Sequence, residues 1–322
     1  MSKNFWRNLK KPFFALAPMA DVTDAPFRRI IAKYGAPDVM WTEFVSADGL
    51  FLGGRDILIK NLAFTDKERP VVAQFFTAKP KFMKEAAKLA NELGFDGVDI
   101  NMGCPDKNVE KQGAGANLIK NPKLAAELIK AAKDGAVSFG RQIPVSVKTR
   151  AGYDKDELDL WLPLLLEAEP SVIIIHARTR KQLSKVSADW NFIKRAVDIR
   201  NEMKSDVLIC GNGDVIDTKD APKKAEESGA DGVMIGRAIF GNPWLFDKNK
   251  KNVNNKEKLK VMIEHTKLFE EITPHKNFSI MKKHYKAYVN GWDGAKKLRE
   301  RLMKAENATE VENIASKYLE SL

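Results

Sequence analysis

The feature that most constrains this chain is an alternation repeated eight times. A short apolar, β-rich run is followed by a polar or glycine-containing turn and then by a helix-like stretch. The runs are Phe13–Met19, Val39–Phe44, Val71–Phe76, Gly97–Met102, Val145–Thr149, Val172–Ala177, Val207–Cys210 and Gly232–Ile235. Between most of them lie segments such as Pro80–Leu93, Pro122–Ala136, Asp156–Ala168 and Trp190–Met203. Their apolar residues recur every three to four positions, the period of a helix with one buried face. Strands that alternate with helices run parallel, because each helix returns the chain to the start of the next strand. Eight such units favour a closed barrel over an open doubly wound sheet. The expected fold class is α/β, a (β/α)8 TIM barrel followed by a small all-α C-terminal domain.

That last domain is expected because the pattern changes after the eighth run. Asp247–Asn255 is polar and lysine-rich and reads as a linker. Lys256–Thr273, Ser279–Asn290, Ala295–Leu302 and a last stretch near Thr309–Leu319 read as helices. The chain thus divides into a barrel over residues 1–246 and a helical domain over residues 247–322. The net charge of +11 is divided unevenly between them. Residues 247–322 hold 17 Lys and Arg against 11 Asp and Glu, a net +6, and the 246 residues before them carry the other +5. A basic surface attracts polyanions, of which RNA is the usual one. The helical region reads either as a basic arm that holds RNA phosphates or as a solvated, lysine-rich cap.

No run approaches the ~18 apolar residues of a membrane helix, so no membrane association is expected. Lys3, Arg7, Lys10 and Lys11 precede the short apolar stretch Pro12–Ala20, which faintly resembles a signal peptide. Pro12 and Pro18 interrupt that stretch and it is short, so it reads as the first strand. The two cysteines, Cys104 and Cys210, lie far apart with no spaced Cys/His set around them. A disulfide framework and a zinc finger are thereby excluded. No metal is expected, a monomer is assumed, and a reducing, cytoplasmic setting fits best.

In barrels of this kind the chemistry sits at the C-terminal ends of the strands, and the polar residues of this chain fall there. The first strand ends in Ala17-Pro18-Met19-Ala20, the second in Thr42-Glu43, and the third carries Gln74. The fourth runs Asp99-Ile100-Asn101-Met102-Gly103-Cys104-Pro105, and the fifth carries Lys148 and ends at Arg150. The sixth runs into His176-Ala177-Arg178, the seventh into Gly211-Asn212-Gly213-Asp214, and the eighth into Gly236-Arg237. One polar residue of this sort is often a structural hydrogen-bond partner. Eight strand ends in register are hard to explain as packing.

The last two ends read as a phosphate site. Phosphates in this fold commonly sit on the loops after strands seven and eight. Glycines there let backbone N–H groups approach an anion, and Arg237 can add a charge-assisted bond. With Lys148 and Gln74 inside the barrel, the ligand suggested is flavin mononucleotide: a lysine offsets charge on a reduced flavin ring, and an amide bonds the ring's polar edge. Cys210, in Val207-Leu208-Ile209-Cys210, reads as a buried small hydrophobe. Cys104 differs, because it lies between Gly103 and Pro105 and opens a loop with Lys111, Gly113 and Gly115. An ordinary thiol is mostly protonated near neutral pH and can donate a proton. A nucleophilic role stays open, although no base lies nearby in sequence.

At these residues the chain resembles the tRNA-dihydrouridine synthase family. The matching pieces are Ala17 to Ala20 with Val22-Thr23-Asp24 and Pro26-Phe27-Arg28, then Asp99 to Pro105 and Lys111 to Ala116. Val147 to Arg150, His176 to Thr179, Gly211 to Asp214 and Gly236 to Ala238 follow in order, over residues 13–246. Asn-Met-Gly-Cys-Pro with its following Lys-X-Gly-X-Gly is the specific signal, since the flavin-site pieces are shared with other flavin barrels. The resemblance implies FMN as bound cofactor and NADPH, or NADH, as reductant. It implies hydride transfer from flavin N5 to C6 of a uracil in tRNA, with Cys104 protonating C5 from the opposite face. It also implies that Pro18, Met19, Ala20, Gln74, Lys148, His176, Asn212, Gly213, Asp214, Gly236 and Arg237 hold FMN, and that Asn101 and Arg178 hold the uracil. A target uridine must then leave its stack. One stretch departs from the family pattern: Ser184, Lys185 and Val186 stand where an aromatic residue and a glycine are expected, which puts the substrate contact of that loop in question. The rival readings are a flavin barrel acting on a small pyrimidine or enone, and an RNA-binding barrel without catalysis.

Overall fold

Residues along each strand alternate between two environments, and that alternation builds the molecule. A computed structural model describes residues 4–138, 140–250 and 252–320; Lys3 and, in the expected linker, Lys251 lie outside them. The strands are β1 (Phe13–Leu16), β2 (Met40–Ser46), β3 (Val71–Phe76), β4 (Gly97–Asn101), β5 (Val145–Arg150), β6 (Val172–His176), β7 (Leu208–Asn212) and β8 (Gly232–Ile235). They form one parallel sheet in the order β1-β8-β7-β6-β5-β4-β3-β2. The ring closes between β1 and β2 through the parallel bridge of Ala15 to Val39, where the Leu16 N–H donates to the Val39 carbonyl at 3.0 Å.

Outward residues such as Val98, Ile100, Val147, Ile173, Ile175, Ile209 and Val233 join the core beneath the helices. Inward residues form a separate cluster containing Phe13, Ala15, Trp41, Val72, Val172, Ile174, Leu208, Cys210 and Met234. The 3-10 helix Phe5–Asn8 seals the bottom of the barrel by placing Trp6 against Phe13 and Trp41, with ring centroids 5.4 and 5.6 Å away. Going up the barrel, the inward positions turn polar: Ser146 leads to Lys148 and Arg150, Ile174 to His176, and Cys210 to Asn212. The period of two in a strand is what stacks these residues above the apolar floor.

The covering helices are α1 (Ala25–Tyr34), α2 (Pro80–Glu92), α3 (Pro122–Gly135), α4 (Leu158–Glu167), α5 (Asn191–Glu202) and α6 (Asp220–Ser228). Two connections are more elaborate than their sequence suggests. Short helices Ala47–Phe51 and Arg55–Leu58 fill the link from β2 to β3, and a small antiparallel ribbon, Val137–Ser138 with Arg141–Gln142, precedes β5. After β8 come α7 (Asn255–Ile272), α8 (Met281–Tyr288), α9 (Ala295–Leu302) and α10 (Ala308–Glu320). Asn254 and Glu257 form a reciprocal capping box at the start of α7, where two otherwise orphaned N–H groups find acceptors. Leu259, Met262, Phe269 and Tyr285 of these helices belong to the same core as Phe27 and Ile31 of α1. Phe27 stacks on His265 at 4.7 Å between centroids and meets His284 edge-on at 4.9 Å. Lys276, before α8, reaches the middle of β2 and donates to Glu43 Oε2 at 2.7 Å.

Candidate active site

The strand ends converge on a cavity of about 520 Å3 at the barrel mouth. Its wall takes Ala17, Pro18 and Met19 from just after β1, Lys148 and Arg150 from β5, His176 from the end of β6 and Arg178 from the loop after it. Asn212 comes from the end of β7, Gly213, Asp214 and Val215 from the loop after it, and Gly236 and Arg237 from just after β8. Pro105, Leu183 and Ser184 complete it. A larger groove of about 1140 Å3 runs between Lys10, Lys219 and Lys258. It contains none of the polar residues that cap the barrel interior, so the smaller cavity is where chemistry can occur.

Lys148 is the cation at the centre. Its ammonium has three hydrogens to donate and makes one long bond, to Asn212 Oδ1 at 3.4 Å. Burial, followed by the charge of Arg150, lowers it to about 8. His176 is held in one tautomer. Arg178 Nη1 can only donate, so His176 Nε2, 3.1 Å away, accepts and the ring proton sits on Nδ1. Burial, with Lys148 next in order, keeps this imidazole neutral far below its usual range. Asp214 organises the far side. It accepts from Arg178 Nη2 and, at 2.5 Å, from Arg237 Nη2, and the bond from Arg178 is the main reason its carboxyl titrates lower than usual. Four cations, Lys148, Arg150, Arg178 and Arg237, thus line the cavity with one carboxylate, Asp214. That excess suits a ligand bearing a phosphate. The Gly213 backbone has φ of +130° and is pinned by Trp190 Nε1, which donates to its carbonyl at 2.9 Å. These groups fit a flavin phosphate.

Cys104 stands beside the cavity, with Pro105 in the wall itself. Its side chain rests on a small apolar cluster of Phe44, Phe76, Val109 and Ala114. This burial pushes the thiol up from its ordinary range, so it is protonated at neutral pH. The loop is fastened from both sides. Arg150 Nε donates to the Gly103 carbonyl at 2.7 Å, and the Ala116 N–H donates to the Cys104 carbonyl at 2.9 Å. Gly115 makes the second contact feasible: its φ is +62°, and a Cβ there would lie 2.7 Å from the Cys104 carbonyl oxygen.

Of the fourteen residues expected from sequence, ten line the cavity and four do not. Ala20 is exposed outside it. Gln74, fully buried, lies beneath the cavity with Asn101; its Nε2 donates to Asp99 and its Oε1 accepts from Asn101 Nδ2. Cys104 is the fourth. Arg178 does line the wall, but each of its three nitrogens already has a protein partner: Asp214, His176 and the Val186 carbonyl. The atypical loop therefore supplies an acceptor for Arg178 through Val186, and part of the wall through Leu183 and Ser184. Arg150 was not among the expected site residues. It lies two residues after Lys148, on the same strand face, and that spacing is the signal that would have found it.

A family model described as "Dihydrouridine synthase (Dus)" matches residues 15–322. The chain belongs to the dihydrouridine synthase family. It is accordingly an enzyme, a flavin-dependent oxidoreductase. Among similar proteins, "Probable tRNA-dihydrouridine synthase 2" of Bacillus subtilis (strain 168) is 41% identical over 330 residues, covering 100% of both chains. "Probable tRNA-dihydrouridine synthase" of Staphylococcus aureus (strain COL) is 39% identical, covering 99% of this chain and 96% of that one. Among solved structures, morphinone reductase aligns with a TM-score of 0.51 at 13% identity, over 76% of this chain and 87% of that one. A 2-naphthoyl-CoA reductase complex aligns at 0.55 and 11% identity, over 77% and 52%. At such identities these two speak for the barrel fold alone.

Proposed function

We propose that this dihydrouridine synthase uses FMN, with NADPH or NADH as reductant, to reduce the C5–C6 double bond of specific uridines in tRNA. The observation that carries this reading is the pairing of a protonated, partly buried Cys104 with a cavity that holds four cations and one carboxylate. Bound flavin supplies the hydride. Pro18, Met19, Ala20, Gln74, Lys148, His176, Asn212, Gly213, Asp214, Gly236 and Arg237 are the residues assigned to holding FMN, and Lys148 offsets negative charge there. The backbone of Gly213 and Gly236 and the guanidinium of Arg237 suit its phosphate. Cys104 holds the proton destined for C5, and its apolar seat on Phe44 and Phe76 keeps that proton on sulfur until a base is in place. Asn101 and Arg178 are assigned to the uracil; Arg178 would do so with hydrogens left over after it has fixed His176 and Asp214.

The chain works in two parts, a catalytic barrel over residues 1–246 and a basic helical region over residues 247–322 that grips tRNA phosphates. It is read as a cytoplasmic monomer that needs no metal ion. No helix among the described residues is long and apolar enough to cross a membrane. The test compares tRNA with free uridine as substrate for the purified enzyme. Dihydrouridine should form in the tRNA and not in the nucleoside; robust turnover of free uridine would overturn the RNA reading and favour a small-pyrimidine reductase.

A further inference from the structure

Beneath the cavity, a row of buried side chains is joined end to end, with an acceptor-only carboxylate at one end and donor-only backbone N–H groups at the other. Asp99, on β4, is fully buried. Its Oδ1 accepts from the Ser146 hydroxyl, and its Oδ2 accepts from Gln74 Nε2 at 2.7 Å. The other end of that amide, Gln74 Oε1, accepts from Asn101 Nδ2 at 3.2 Å. Asn101 Oδ1 then accepts from the backbone N–H groups of Gly103 at 3.1 Å and Cys104 at 2.9 Å.

Two amides in series carry no direction of their own. Each can be turned by half a revolution with almost no change in shape, exchanging donor for acceptor. An ionised carboxylate can only accept. Asp99 therefore makes Gln74 turn its NH2 inward and its oxygen toward Asn101. Asn101 must then give its NH2 to Gln74 and its oxygen to the Cys104 backbone. Reversing the row would set an NH2 against two N–H groups, leaving buried donors without acceptors. Burial raises Asp99 to about 6, against the opposing effect of its bonds from Ser146 and Gln74, so it is ionised at pH 7.5.

We propose that Asp99 is a positioning residue for Cys104: acting through Gln74 and Asn101, its carboxylate supplies the inner acceptor that matches the loop's own N–H donors, and so locks the amide orientation that holds the Cys104 loop at the barrel mouth. The inference rests on the reading of Cys104 as proton donor, but the orientation it describes is measurable without that reaction. It also gives Gln74 and Asn101 a duty that their contacts with a cofactor or a base do not replace.

The test measures alkylation of Cys104 by iodoacetamide in the folded, flavin-loaded protein, alongside turnover on tRNA. Cys210 is fully buried, so the reaction reports on Cys104. Asp99→Asn removes the acceptor-only group at the inner end: a side-chain amide there that still accepts from Ser146 turns its NH2 against that of Gln74, in conflict with the direction imposed by the Gly103 and Cys104 N–H groups. The loop should loosen, alkylation should accelerate on the order of tenfold as the thiol leaves its apolar seat, and kcat should fall by about 10²-fold through misplacement. Asp99→Asn combined with Gln74→Glu moves the carboxylate one place along the row and again presents an acceptor to Asn101. Alkylation in this double variant should return to the wild-type rate. Unchanged alkylation in Asp99→Asn, or a double variant as fast as the single one, overturns the proposal. If Asp99→Asn alone does not fold, the double variant is compared with wild type directly, and an accelerated rate overturns it. Alkylation that responds as expected while turnover does not leaves the positioning role standing and removes Cys104 from the reaction.

Discussion

At the scale of single residues, burial acts on Cys104 and Lys148 in opposite senses, keeping the proton on the thiol and loosening it from the ammonium. An apolar seat disfavours the thiolate, so Cys104 keeps its proton at neutral pH. The same cost, together with the charge of Arg150, lowers Lys148 to about 8. The sign of the consequence is definite. The ammonium is present below pH 8 and is lost above it, so flavin-dependent turnover should decline as pH rises through about 8. Lys148→Arg, which stays charged, should move that decline to higher pH; a pH–rate profile with the same alkaline limb in both proteins would remove Lys148 from the titration. At this scale the sequence is legible where side chains alternate along a strand, which is why Lys148, His176 and Asn212 could be placed together at the barrel mouth. It was not legible where a side chain's hydrogen bonds decide its role. Nothing in the letters shows that Gln74 lies under the cavity bonded to Asp99, or that the nitrogens of Arg178 are already engaged.

Among the elements, the decisive one is the loop from Cys104 to Ala116. It contains the short helix Lys107–Lys111, and Glu110 of that helix pairs with Arg180 from the loop after β6. The side chain of Glu110 is nearly buried and that of Arg180 only a quarter exposed, so the pair is better shielded than a surface ion pair. Gly115 lets the loop fold back on the Cys104 carbonyl. Gly115→Ala should cost about 1 kcal/mol or more of stability from its left-handed backbone alone. It should also lower turnover more than the melting temperature suggests, because the displaced group is Cys104. Paired melting and turnover measurements check this; full activity at unchanged melting temperature would mean that the loop tolerates the shift. Strands and long helices were legible because their periodicity spans several turns. The small helices after β2 and the ribbon before β5 are too short for any period to show.

The whole molecule is held together by a core that runs without interruption from the barrel helices into the C-terminal ones. A linker followed by a separate unit was the expectation from composition. Across the polar stretch Phe27 stacks on His265, His284 meets both rings edge-on, and Lys276 is buried against Glu43. Composition reports charge and polarity, and packing between distant segments leaves no trace in it. The two histidines have a consequence for stability. Burial is the main cause that holds both neutral, His284 down to about 3 and His265 well below its ordinary range. The unfolded chain takes up these protons below about pH 6.5 and the folded chain does not. Their contribution to stability is therefore complete above pH 6.5 and is lost as pH falls from there toward 3, by about 1.4 kcal/mol per pH unit for each histidine. His284→Phe should flatten this dependence in denaturant titrations between pH 7.5 and 5, and an unchanged slope would place the acid sensitivity elsewhere.

The central claim is that a flavin-dependent barrel reduces uridines in tRNA with Cys104 as the acid. The most direct measurement incubates flavin-loaded wild-type and Cys104→Ala proteins with NADPH and tRNA in D2O, then determines dihydrouridine and its deuterium content by mass spectrometry. The account predicts that the wild-type product carries solvent deuterium at C5. It predicts that Cys104→Ala binds flavin equally well and accepts electrons from NADPH, yet forms product at least about 10²-fold more slowly. Absence of dihydrouridine with the wild-type protein, or equal rates from the two, would contradict it.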